Sequence, residues 1–267
     1  MQIIITKENM KKKLILAISI SILLLGACKK SSPTTSSGPG GSTNNTSITS
    51  SNATSWYGLL AVGKTQNYLG SIMQSLVYNA NAYFSSTATN YGNPATVVTV
   101  DSVKLNGMPF MYFSSEALYY DTSGFFTGNA QAITYPYTFK IVGNNGIPSF
   151  TYIENGPFPS YTGYANIPDT IYKNTGVTIF LTGITNADVV SIDFNDGTSA
   201  SGHEIGQQLS TPIPASINFS ASSMSQFNVT NTAQIEITLN KMDVKNVYGK
   251  PMLFSTTYNF TKTLSVK

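Results

Sequence analysis

The sequence predicts an all-β protein, built as two β-sandwich-like domains behind a disordered tether. Three observations carry this prediction. Apolar residues alternate with polar ones in short runs, most cleanly at Val177, Ile179 and Leu181 and at Ile235, Ile237 and Leu239; a period of two is the signature of a half-buried strand. The aromatic, Thr, Ser and Val content, with regular Gly and Asn, suits strands and turns. Finally, residues 29–55 are almost wholly Ser, Thr, Gly, Asn and Pro after two lysines, with no apolar surface to bury.

The chain opens with an export signal over residues 1–27. Lys11, Lys12 and Lys13 precede the apolar run Leu14–Leu25, then Gly26, Ala27 and Cys28. A positive start, a short apolar stretch and small residues before a cut describe a secretory signal peptide. The run falls well short of the roughly 20 residues that span a bilayer. Met10 stands directly before the lysines and is the expected initiator. Leu25-Gly26-Ala27-Cys28 resembles the lipobox of bacterial lipoproteins, which implies cleavage before Cys28, lipidation of its thiol and attachment to a membrane. In similar lipoproteins of Gram-negative bacteria an acidic residue after the cysteine retains the protein at the inner membrane. Lys29 and Lys30 imply the outer membrane instead, facing periplasm or surface. Residues 28–55 form the lipidated cysteine and its linker, whose 27 residues after the anchor reach on the order of 30 Å as a random coil.

Residues 56–165 read as an N-terminal β domain. Asn106-Gly107 between Val103–Leu105 and Phe110–Phe113 supplies the positive φ angles of a tight hairpin turn. Tyr137, Phe139 and Ile141 alternate, and Gly143–Gly146 turns the chain toward Phe150 and Tyr152. The stretch Leu69–Val77 fits helix and strand equally. Three prolines and two glycines between Asn155 and Pro168 mark a boundary. Beyond it, residues 166–267 form the second domain. Val190, Ile192 and Phe194 alternate there, as do Tyr258, Phe260, Leu264 and Val266, with Lys262 breaking the pattern. Strands with one apolar face each imply two sheets packed face to face. Val177–Leu181 and Val189–Phe194, running into Asn195-Asp196-Gly197-Thr198, resemble the front half of a PKD-type immunoglobulin-like domain. Ile192-Asp193-Phe194-Asn195-Asp196-Gly197 matches that family's third-strand motif, with Ile for its Trp and Asn for its first Gly. The resemblance implies a sandwich and a spacer or binding role without catalysis.

Charge and motifs narrow the function. The chain holds no arginine, and nine lysines after Ser55 stand against eleven acids once Glu8 is set aside. Nucleic-acid binding needs clustered Lys and Arg, so that class is set aside. Asp193–Gly197 lacks the spacing of a calcium loop and reads as a turn. His203 is the only histidine, and Cys28, spent on the anchor, the only cysteine, so no metal site is expected. Ser199 and Ser201 lie near His203 without a Gly-x-Ser-x-Gly elbow, which leaves the histidine as an exposed polar residue. No phosphate loop is present and no cofactor is expected. Asp101-Ser102-Val103 and Asp169-Thr170-Ile171 resemble a bacterial O-glycosylation acceptor. Eleven carboxylates would serve a glycosidase, but their spacing forms no constellation.

Tyr119-Tyr120 and Phe125-Phe126 are adjacent aromatic pairs. Neighbours on a strand point to opposite faces, so one ring of each pair leaves the core unless a loop covers it. Core or cover is the ordinary role of such rings. Tyr119, Tyr120 and Asp121 are the candidate ligand contacts. The sequence thus reads as a lipid-anchored, noncatalytic binding or structural module of the cell envelope, contacting glycans or a partner protein. The alternative is a carboxylate-based hydrolase acting on polysaccharide.

Overall fold

Two long hairpins form the spine of the molecule. In the computed structural model, which describes residues 48–89, 96–121, 133, 135–197 and 203–267, the C-terminal hairpin pairs an 18-residue strand, Thr230–Val247, with a 17-residue one, Lys250–Val266. Tyr248 and Gly249 join them with φ of 50° and 81°, the two-residue turn whose twist matches that of the strands. The other long hairpin pairs Trp56–Leu69 with Ile72–Thr89 across Gly70 and Ser71. The stretch that fitted helix and strand equally is therefore strand.

In chain order the strands are β1 (Ile48–Ser50), β2 (Trp56–Leu69), β3 (Ile72–Thr89), β4 (Ser102–Leu105), β5 (Met108–Phe113), β6 (Leu118–Asp121), β7 (Tyr137–Val142) and β8 (Phe150–Glu154). Then follow β9 (Ser160–Tyr161), β10 (Thr170–Ile171), β11 (Val177–Phe180), β12 (Ile184–Thr185), β13 (Val189–Asn195), β14 (Glu204–Ser210), β15 (Ser216–Phe219), β16 (Thr230–Val247) and β17 (Lys250–Val266). A single helical turn, Ala221–Met224, is capped by the Ser220 hydroxyl. The fold is all-β. Among the described residues no helix is long and apolar enough to cross a membrane.

One mixed sheet of 13 strands runs β14-β13-β16-β17-β2-β3-β6-β5-β4-β7-β8, with β1 beside β16 and β10 beside β17. Strand β17, fourth in this order, is antiparallel to β16 and parallel to β2, so Met252 lies beside Gly58. The turn read at Asn106-Gly107 joins β4 to β5 with φ of 50° and 86°.

Alternation along β17 explains the interior. Its even-numbered residues face inward, and they serve two cores in succession. Met252 and Phe254 join Leu60, Phe84, Tyr137, Phe139 and Tyr152. Tyr258, Phe260, Leu264 and Val266 join Phe194, Ile235, Ile237 and Leu239. Thr256, also buried, marks the seam. In the first core the sheet curls until its last strand, β8, lies back over the spine, where Tyr152 stacks on Phe254 with ring centroids 3.6 Å apart. In the second core the opposing layer is small. Two-stranded sheets β11–β15 and β9–β12 cover the large sheet, and Phe219 meets Phe194 edge-on at 5.0 Å. Lys262 keeps the inward parity although it is charged. It is 4 % exposed, donates to the Ile167 carbonyl and pairs with Asp169 at 2.7 Å, so its charge leaves the core at the tip of an apolar stem.

Because β16 and β17 contribute to both cores, the two should melt together. Phe254→Ala and Phe260→Ala should each cost about 3–5 kcal/mol and lower one common thermal transition. Two resolved calorimetric peaks, with each variant shifting only one, would show that the cores unfold independently.

Candidate functional site

The structure revises the predicted aromatic surface. Tyr119 is 5 % exposed, and its hydroxyl both donates to the Val100 carbonyl and accepts from the Val100 N–H at 2.8 Å. It is a core residue, because β6 parity turns this ring inward against Phe84. Tyr120 is half-buried, packs edge-on against Phe113 and donates to Glu116 at 2.8 Å. Asp121, half-buried, pairs with Phe110 across β5 and β6. Phe125, Phe126, Ser199, Ser201 and Cys28 lie outside the described residues.

The Asp193–Gly197 segment separates its two aspartates. Asp193 lies on the outer face of β13, opposite Glu236 on β16. Asp196 is fully buried, accepts from the Asn228 side chain at 2.7 Å and lies 3.4 Å from Nδ1 of His203. It ties the β13–β14 connection, which spans residues 196–203 rather than a two-residue turn, to the start of β16. His203, with its side chain 42 % exposed, is an outer member of that knot. Among the described residues no three His, Cys, Asp or Glu side chains gather to hold a metal ion.

A different set of polar groups converges at the seam between the cores. On β16 the inward parity of Ile235, Ile237 and Leu239 continues into Lys241 and Asp243; on β8 that of Phe150 and Tyr152 continues into Glu154. Strand positions that should be apolar are thus charged where the end of β8 meets the middle of β16. With Tyr137 and Phe139 of β7 and Phe254 and Thr256 of β17 they line a shallow cleft. The Tyr152 hydroxyl lies 2.8 Å from Glu154 Oε2 and 3.2 Å from Asp243 Oδ2. Burial, and then the carboxylates of Asp243 and Glu154, hold this phenol far above its ordinary pKa, so it is a permanent donor. Glu154 also accepts from the Gly156 N–H at 2.7 Å, and Asp243 pairs with Lys245 at 2.7 Å. The Tyr137 hydroxyl is buried without a hydrogen-bond partner among the described residues. Burial first, then Tyr78 and Glu154, raise its pKa too, so it stays protonated.

The sequence reading passed over Glu154, Lys241 and Asp243. The signal that finds them is the run of inward parity ending in charge, since polar residues at core positions are either errors or functional. Their convergence depends on β8 curling over β16, which no local pattern encodes. Comparison with family models, with curated proteins and with solved structures found no match to the chain.

The Asp193–Glu236 pair has a measurable consequence. Burial, then the nearby charges of Glu236 and Glu204, raise Asp193 from 3.8 to about 6. A carboxyl raised in the folded state favours folding fully below its unfolded pKa, and that contribution is lost as pH climbs through the folded value. Asp193→Asn should therefore stabilise the protein at pH 7 by about 1 kcal/mol, a figure discounted for solvent screening at this half-exposed site. The gain should vanish near pH 4. Urea melts of both proteins at the two pH values check this, and an equal gain at both would refute it.

Proposed function

We propose that the protein is a lipid-anchored, noncatalytic binding module of the cell envelope. The observation that carries the anchor is Leu25-Gly26-Ala27-Cys28 after a basic start and a short apolar run, with the sole cysteine of the chain at the position to be lipidated. Lys29 and Lys30 favour the outer membrane. The Ser/Thr/Gly-rich tract then has the composition of a spacer between anchor and body. It reaches the folded body at β1, whose Ile48 pairs with Val247 at the turn end of the spine, so a lipid on Cys28 would hold that end toward the bilayer. The likeness of residues 177–198 to PKD-type domains supports a spacer or binding role. The polar groups that converge at the seam cleft support the binding reading, with a glycan or a partner protein as the ligand.

Cys28→Ser should abolish incorporation of labelled fatty acid and shift the protein out of the outer-membrane fraction. Label retained by that variant would overturn the anchor.

A carboxylate-based hydrolase of polysaccharide is the second reading, favoured by the approach of Glu154 and Asp243. Both touch one hydroxyl, so their oxygens are at most about 6 Å apart, near the separation in retaining glycosidases. Against it, the Tyr152 hydroxyl fills the gap where a glycosidic bond would have to lie. The wild-type protein should release no reducing ends from starch, xylan or β-glucan. Release that Glu154→Gln and Asp243→Asn both abolish would put the hydrolase first.

A further inference from the structure

The seam cleft has four properties that select a ligand. The first is the Tyr137 hydroxyl. Tyr137 is 0 % exposed, its ring packs against Phe158, and its hydroxyl meets no hydrogen-bond partner among the described residues. A buried polar group without a partner costs free energy, and a native structure that keeps one asks for an explanation. The second is charge. Glu154 and Asp243 are balanced by Lys241 and Lys245, so the cleft is neutral as a whole and disfavours a cation and an anion alike. Lys241, half-buried, has no carboxylate within ion-pair distance among the described residues; its donors remain available.

The third property is size. The enclosed space holds about one water-sized group, too little for a ring or an amide. The fourth is the mouth. A Cβ on Gly156 would meet Glu154 Oε1 and Lys241 Nζ at 2.8 Å each, so the absence of a side chain there leaves both polar atoms open to an approaching group. A group the size of water that donates to a carboxylate while accepting from an ammonium and a phenol is water itself or a hydroxyl that takes its place. The remainder of a molecule bearing such a hydroxyl must lie outside; near Tyr137, the half-buried Phe158 ring stands 5.2 Å away and the exposed Tyr135 ring 6.4 Å.

We propose that the cleft captures one hydroxyl of a neutral saccharide, which donates to Glu154 and accepts from Tyr137 and Lys241 while the sugar ring rests across the mouth beside Gly156. This rests on the binding-module reading and names its ligand class.

The test uses full-length protein in detergent, run in native gels cast with starch, xylan or β-glucan, and with alginate as the acidic counterpart. At least one neutral polymer should retard the wild type. Tyr137→Phe and Lys241→Met should each weaken that retardation fivefold or more. Tyr137→Phe should also leave the melting temperature unchanged or raised, because the deleted hydroxyl has no partner to lose. Unchanged migration in every neutral gel overturns the proposal, as does retardation by alginate alone, or retardation that both variants keep. Lipid labelling of Cys28 is read in a separate experiment, so a failed anchor and a failed cleft are told apart.

Discussion

The fold depends on one strand serving two interiors with one face. Strand β17 is hydrogen-bonded along its length on both sides, to β16 and to β2, and runs for about 55 Å. Strict alternation then leaves no freedom. Every second residue from Met252 to Val266 must suit whichever core lies over it. Apolar residues meet that demand at both ends, and Thr256 and Lys262 meet it with a hydroxyl and with an ammonium carried out to Asp169. The opposite face is lighter, with Leu253 joining a small cluster of Trp56, Leu59, Tyr83 and Leu118.

The polar cleft follows from the same arrangement. Two layers of different curvature cover the spine, a curled sheet over one half and small two-stranded sheets over the other. Where they part, close packing by apolar groups fails, and long polar side chains from β8 and β16 occupy the gap. Tyr152 closes it, stacking on Phe254 with its ring while its hydroxyl engages both carboxylates. Polar networks in a low-dielectric setting are strong when satisfied and costly when incomplete. This one is incomplete at Tyr137, whose buried hydroxyl has no partner among the described residues.

Much of the fold was legible because it is locally encoded. Asn106-Gly107 announced its turn through the φ angles those residues tolerate, and the alternation of Tyr137–Ile141, Val190–Phe194 and Ile235–Leu239 gave both strand and inner face. Other features were not. Tyr248-Gly249 makes an equivalent turn with a residue that seldom takes positive φ. Which of Tyr119 and Tyr120 faces inward is a matter of phase, and phase is fixed only by the neighbouring strands β3 and β5. Lys262 looked like a break in the pattern, because sequence shows a charge but not the carbonyl and carboxylate waiting for it. The cleft joins residues from β7, β8 and β16, and their meeting is set by sheet curvature.

The pairing of β2 with β17 also orders events in time. The strand that leaves the ribosome early finds its parallel neighbour only when residues 250–266 have followed it, and such distant contacts form slowly. Until then neither interior has its floor: Leu60 and Phe84 lack Phe254, and Phe194 and Ile235 lack Phe260. A chain shortened by even the last turn and strand would not be a smaller version of this protein but a set of unpaired edges.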